Sequence, residues 1–404
     1  MKGREQVNPI ETSRVNGSLL DSPIDKPRVE VSSAKKLNYV LIMPVWGEHH
    51  TGLFLSYCLP FLLTDGNVGA FADRQLRVCV MSRRADFARM NQDINYRRLS
   101  AAVELVETEI DDIIDLSAPY RAMTECYLMA LRALPNPDDT VTIFPTPDCV
   151  ISRNALRAII EIMEDGWRGV MVCGLRLTLE TAGPLLDQIT ACSGGPGKIG
   201  ERELCQIVLQ HLHPISLDCD VKSDEFIVDW PSHVYWVAPD RTWLLAHCFH
   251  LHPLAVRGIP ANVDVHTTID GDYLVELGAS ADKFYVCDSS DKLICFELSP
   301  SAKRVPGRPG RLRTQDLLRF SVSACNPLHR EFFARAIWWK APGDPVAPDD
   351  VLQEAADYVA VVRRGSFFEE VRFRVLSIIR KCPPLLFAAR ALVRAARRTL
   401  PSTS

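Results

Sequence analysis

Five short strand-like runs recur along the first half of the sequence, and their composition dictates how they must be covered. NYVLIMPVW (38–46) is almost wholly apolar, and LRVCVMS (76–82) nearly so. AVELVETEI (102–110), DDTVTIFPTPD (138–148) and RGVMVCGLRL (168–177) follow. A run without polar alternation belongs to a strand buried on both faces. Between the runs the chain becomes helical, as in SAPYRAMTECYLMALRAL (117–134) and ISRNALRAIIEIMEDG (151–166). Strand alternating with helix predicts an α/β domain, an open and mostly parallel sheet covered by helices. Ser152 is expected to cap the last of these helices and Gly166 to lie near its stop.

The 404 residues suffice for one large or two ordinary domains. Residues 1–36 are polar and lack an apolar core segment, so they read as a disordered tail without a signal peptide. The sheet domain is expected over 37–300. A Pro/Gly/Arg linker follows at 301–315, then a helical C-terminal region at 316–404. The net charge of −4 excludes a nucleic-acid footprint for the whole chain. Thirteen cysteines without a C-x-x-C pair match a reducing compartment, in which Cys79, Cys173, Cys248 and Cys287 act as small buried apolar residues. The expected localisation is therefore cytoplasmic.

Ligands of open α/β sheets bind at the carboxyl ends of strands. Pro44, Ser82 and Asp148 occupy such ends. SGGPGKIG (193–200) lacks the Ser or Thr after Lys198 that a nucleoside-triphosphate loop requires, and reads as a loop beside a site where Lys198 meets a phosphate. Neither a G-x-S-x-G elbow nor a G-x-G-x-x-G turn occurs, which removes the hydrolase and dinucleotide readings. Histidines cluster at HLH (211–213) and LAHCFHLHPL (245–254, with His247, His250 and His252), and buried structural imidazoles are the first expectation for them. Asp270 and Asp272 in TTIDGDYL straddle Gly271 and read either as a turn with a helix cap or as a general base. Trp230, Tyr235 and Trp236 are expected to be core aromatics in two cases of three.

A first strand ending in Pro44, a second ending in Ser82 and a fourth running through FPTPDCVIS resemble the nucleotide half of GT-A fold glycosyltransferases. The resemblance spans about residues 37–300. It implies a nucleotide-sugar donor bound by Pro44, Val45, Trp46, Glu48, Ser82, Asp148 and Lys198. It implies a D-x-D motif at Thr146-Pro147-Asp148, whose first carboxylate is a threonine in this chain. The implied cofactor is Mg²⁺ or Mn²⁺ held by Asp148, with His252 as a further ligand of manganese. Asp270 or Asp272 would take the acceptor's proton. Two other readings remain. A non-catalytic relative that keeps the sheet is favoured by Thr146. A sugar-phosphate nucleotidyltransferase would want a glycine- and arginine-rich loop where this chain has PVWGEHHTG.

From Arg363 to Arg398 ten basic residues face two acidic ones, a net charge of +8 that leaves −12 on the rest of the chain. SFFEEVRFRVLSIIRKCPPLLFAARALVRAARRTL (366–400) sets apolar residues at helical spacing among arginines. Such a segment either packs on the sheet domain or lies on an anionic membrane surface, where each basic residue contributes about 1 kcal/mol. The second reading places the chain at the inner face of the membrane, near a glycan or lipid-linked acceptor. It predicts that the full chain floats with anionic vesicles and that deleting 366–404 abolishes flotation. Equal flotation of the truncated chain would remove the membrane reading.

Overall fold

The structure, a computed structural model, describes residues 37–192, 194–263, 272–303 and 305–381; side chains are described to Gly365, that of Asp272 excepted. Its strands are β1 (Asn38–Pro44), β2 (Leu76–Ser82), β3 (Glu104–Glu109), β4 (Thr140–Ile143), β5 (Cys149–Ile151), β6 (Gly169–Val172), β7 (Leu175–Thr178), β8 (Phe226–Ile227), β9 (His233–Val237), β10 (Trp243–Cys248), β11 (His252–Arg257), β12 (Phe284–Val286), β13 (Cys295–Ser299), β14 (Pro309–Gly310) and β15 (Ile337–Lys340). Seven of them form one sheet in the order β12-β6-β11-β4-β1-β2-β3. All neighbours in it are parallel except β11, which runs antiparallel to both β4 and β6. The expected α/β class, a mostly parallel sheet covered by helices, is the observed one.

β1 shows why the apolar runs lack alternation. Val40 and Ile42 join one core, whereas Tyr39, Leu41 and Met43 join another on the opposite face. Successive side chains of a strand point to opposite faces, so a sheet covered on both sides needs an apolar residue at every position. The helix Ala155–Glu164 contributes Leu156, Ile159 and Met163 to the second core, and Pro119–Arg132 contributes Ala122, Cys126 and Tyr127 to the first. Cys173, Cys248 and Cys287 are buried and Cys79 half-buried, as small apolar residues would be.

Two expected strands are interrupted. The fourth run divides into β4 and β5 at Phe144–Asp148, and the fifth divides into β6 and β7 at Cys173–Gly174. The detached halves β5 and β7 flank β13, which pairs antiparallel with the first and parallel with the second. Ser152 is therefore not a helix cap. It follows β5 directly, exchanges hydrogen bonds with Ile294, and leaves Asn154 at the N-cap of the following helix. Gly166 does stop that helix, at φ +95°.

The region expected to be helical after residue 316 also supplies β15, which pairs with β10 in the three-stranded sheet β15-β10-β9. β10 sends Leu244, Ala246 and Cys248 into the first core, and Trp243 and Leu245 into a third. The third core is closed by Leu317 and Phe320, by Phe333, and by Val351, Ala355 and Val362 of the long helix Asp349–Lys381. Trp236 donates its Nε1–H to Glu354 of that helix at 2.8 Å. The basic segment 366–400 lies outside the residues whose side chains are described. No described helix is long and apolar enough to cross a membrane.

Asn67, fully buried, ties the first layer to the site-bearing segment. Its amide donates to the carbonyls of Phe61 (2.9 Å) and Ser152 (3.0 Å), and its Oδ1 accepts the Leu156 N–H (2.9 Å), an otherwise unmet donor of the helix start. Asn67→Ala removes three buried hydrogen bonds and strands the Leu156 N–H, whereas Phe61 O keeps Thr64 and Ser152 O keeps Ala155 as donors, so we expect a loss of about 2 kcal/mol in urea unfolding. A loss under about 1 kcal/mol would mean that the bridge does not hold this segment.

Candidate functional site

The turn after β4 is fixed from several directions. The Phe144 N–H donates to Leu254 O at 2.9 Å, and the Phe144 ring packs edge-on against buried Tyr127. His252 Nε2 lies 2.8 Å from Phe144 O. A carbonyl only accepts, so this nitrogen carries the proton and donates. The Cys149 N–H then closes on Thr146 O at 3.0 Å, with Pro147 and Asp148 at the two corners. Proline at the first corner suits a tight turn. Pro147 thus bends the chain, and the bend delivers half-buried Asp148 to the carboxyl edge of the sheet.

β13 completes the arrangement. The Leu298 N–H binds Asp148 O at 3.0 Å, and Glu297 lies opposite Cys149 on one side and Arg176 on the other. Arg176 Nη2 reaches Glu297 Oε2 at 2.6 Å and its Nη1 donates to Ser299 Oγ at 2.9 Å. The turn after β13 carries Lys303, whose N–H meets Pro300 O. That same carbonyl accepts from His213 Nε2 at 2.9 Å, while His213 Nδ1 caps the helix Pro214–Leu217. The first HLH pair thus yields a structural imidazole.

The charges of this group act on one another. Desolvation raises the Glu297 carboxyl above its ordinary value, and the Asp148 charge raises it further against the pull of Arg176 and Lys303. About a third of the Glu297 side chain is still accessible, so its desolvation is that of a recess, not of the core. Lys303 is lowered by desolvation and by Arg176, with Asp148 and Glu297 opposing. His50, in the helix Glu48–Leu53, is lowered by desolvation while Asp148 pulls it upward. His50 and Lys303 are solvent-accessible, as groups at the mouth of a concavity are. Two carboxylates, two cations and an imidazole therefore share one field at the ends of β1 and β4.

Hydroxyls at the same edge lack protein partners. Thr146 Oγ1 and Ser82 Oγ are buried and accept or donate no hydrogen bond among the described residues. The loop after β1 is held by Gly47, at φ +82°, whose N–H binds Asp86 Oδ2 at 2.9 Å. Asp86 is in turn paired with Arg83 at 2.6 Å.

The sequence-derived residues divide accordingly. Pro44, Ser82 and Asp148 lie at strand ends of the sheet. Val45 is fully buried in the core, Trp46 is half-buried and Glu48 is exposed at the start of the helix after Gly47. Lys198 ends the turn Gly195–Lys198, exposed. The neighbouring Gly194–Gly197 line a cleft of about 740 Å³ with Asp65, Asp93 and Asp187, and neither Asp148 nor Glu297 lines it. His252 belongs to the edge through its bond to Phe144 O, which leaves Nδ1 as its only ring lone pair for a cation. Asp270 lies outside the described residues, and of Asp272 only the backbone at the head of the turn Asp272–Val275 is described. Tyr235 and Trp236 are core residues, whereas Trp230 is 56% exposed.

Arg176, Glu297, Lys303 and His50 were not singled out from the sequence. A weak signal existed for two of them. GLRLT and CFELS each place one charge inside an apolar strand, a position that must face a partner or a site.

No protein-family profile matches the sequence, and no curated protein matches it. Among solved structures the chain is similar to mouse xyloside xylosyltransferase 1 in its apo form, at 13% identity and a TM-score of 0.24, over 38% of this chain and 58% of that one. It is also similar to a mannosyltransferase from Pyrobaculum calidifontis in complex with GDP-Man and Mn²⁺, at 12% identity and a TM-score of 0.28, over 91% of this chain and 82% of that one. Likeness at these TM-scores carries no argument about activity, which rests on the site itself.

Proposed function

We propose that this chain is a glycosyltransferase that takes a nucleotide-sugar donor at the carboxyl edge of its sheet. The meeting of Asp148, Glu297, Arg176 and Lys303 at the end of β4 carries the reading. A sugar nucleotide leaves as a diphosphate, and its developing negative charge needs fixed positive charge beside it. Arg176 and Lys303 supply cations on protein side chains. Arg176 is aimed by Glu297 and Ser299, so it is organised before a ligand arrives.

The residues fit a divalent cation. Asp148, Glu297 and the unpartnered Thr146 hydroxyl are hard oxygen donors of the kind that Mg²⁺ and Mn²⁺ take. Such a cation would neutralise the diphosphate oxygens. The chain's own groups do the rest. The buried strand-end hydroxyl of Ser82 and the ring of Trp46 lie on the nucleoside side by the sequence resemblance. In transfer the bond from the anomeric carbon to phosphate oxygen breaks, the bond to the acceptor oxygen forms, and the acceptor's proton passes to a carboxylate. Asp270 and Asp272 are the candidates for that base on sequence grounds. A glycan or lipid-linked hydroxyl is the acceptor class that the basic C-terminal end would suit, in glycan or surface-polysaccharide assembly.

Thr146 favours a second reading, a non-catalytic scaffold. Titration calorimetry with UDP- and GDP-sugars and Mn²⁺ separates the two. The enzyme reading expects donor binding, transfer to a hydroxyl acceptor, and a loss of roughly 100-fold in kcat/KM for Asp148→Asn at unchanged Tm. Absence of nucleotide binding, with Asp148→Asn indistinguishable from the parent chain, would refute it.

The raised Glu297 carboxyl gives a pH signature. It takes up its proton at higher pH than an ordinary glutamate, whose value is 4.5. Mn²⁺ competes with that proton, so cation binding should weaken on acidification with its midpoint above pH 4.5. Glu297→Gln should move that limb to lower pH. An acid limb identical in the variant would show that Glu297 does not face the cation.

A further inference from the structure

A second cluster, apart from the strand-end carboxylates, joins the loop between β10 and β11 to the C-terminal helices. His250 of that loop, Cys325 and His329 each present a donor atom, and the three atoms lie within 4.8 Å of one another. His329 is buried, and the other two are half-buried. Cys325 precedes the helix Pro327–Phe333, in which His329 occupies the third position.

The surroundings hold these side chains in place. Ser232 Oγ meets His250 Nδ1 at 3.0 Å. A hydroxyl on one ring nitrogen is the outer contact that orients a histidine ligand. Trp230 stacks on the His250 ring at 5.9 Å between centroids and 11° between planes, and the His250 and His329 rings are 4.2 Å apart. Asn326 caps the helix by accepting the His329 N–H at 3.0 Å, its own N–H faces His329 Nδ1 at 3.4 Å, and its Nδ2 lies 3.4 Å from His329 Nε2, long contacts of which an ion would displace one. Arg330 donates to Cys325 O at 2.8 Å and Ser321 O at 3.1 Å, which pins the loop that carries the thiol. Arg330 is the cation that opposes an ion at this site, and a Cys325 thiolate would offset it.

We propose that His250, Cys325 and His329 bind Zn²⁺. Two imidazoles and one thiolate are the soft and borderline donors that select zinc over the oxygen-seeking Mg²⁺ or Mn²⁺ of the strand-end site. Zinc bond lengths of about 2.0–2.3 Å would draw the three atoms to roughly 3.5 Å of one another, a closure of about 1 Å by side-chain rotation. Three protein donors leave a fourth position for water. The ion would clamp the β10–β11 loop to the helix Pro327–Phe333, elements 75 residues apart in sequence. The site does not depend on the glycosyltransferase reading.

The test uses the full chain, reduced, with Zn²⁺ in competition against a chromophoric chelator, and Co²⁺ as a spectroscopic probe. One ion per chain is expected, with a thiolate-to-cobalt charge-transfer band that Cys325→Ser abolishes. His250→Ala should remove tight zinc binding, and Ser232→Ala should weaken it about 10-fold. Zinc should raise the Tm of the parent chain and not that of Cys325→Ser. Equal Tm values of the two zinc-free proteins would establish that the variant folds. A cobalt band unchanged by Cys325→Ser overturns the proposal. So does zinc that is lost with Asp148→Asn and kept by Cys325→Ser.

Discussion

β13 uses both of its edges, antiparallel to β5 and parallel to β7, and the candidate site is built on that double pairing. Its residues arrive almost 150 positions after Asp148, so local chain stiffness cannot set their placement. The backbone hydrogen bond from Leu298 to Asp148 and the register Glu297↔Arg176 set it. A parallel or antiparallel ladder fixes which side chains are neighbours, and a slip of one residue would turn Glu297 to the opposite face. The interruption of the fourth and fifth strands serves this pairing, because it detaches β5 and β7 from the main sheet and gives them edges to offer β13.

The same strands explain the electrostatics. The Asp148 charge adds to the cost of ionising Glu297, which desolvation already raises. Arg176, in register beside Glu297, and Lys303, in the turn after it, balance the two charges. A group of opposed charges held in a recess has residual capacity for a ligand that carries both a diphosphate and a cation. A filled interior of the same composition would have no surface left to offer, and here Glu297 and His50 keep access to solvent.

The histidines of LAHCFHLHPL illustrate how far spacing can be read. His250 and His252 are two apart, which on a continuous strand places both on one face. The chain bends between β10 and β11, so His252 turns to Phe144 O and His250 to Ser232, Cys325 and His329. His247, on β10, donates to or accepts from nothing at either site and meets the Phe333 carbonyl at 2.8 Å. One short motif thus serves three elements, and only the bend, invisible in periodicity, separates them.

The sequence by itself determined the α/β class, the strand runs and the position of Asp148. These depend on short-range rules: continuous apolarity for doubly covered strands, and a strand run that ends in prolines and an aspartate. It determined also that the cysteines of the apolar runs are core residues. Only the tertiary structure decided that TIFPTPDCVIS is two strands around a turn, that Ser152 binds Ile294 instead of capping a helix, and that β11 enters the main sheet reversed. It alone joined Arg176, Glu297 and Lys303 to Asp148, and His250 to Cys325 and His329. The physical reason is that register between strands distant in sequence is chosen by the fit of whole faces. No residue carries that choice in its own neighbourhood.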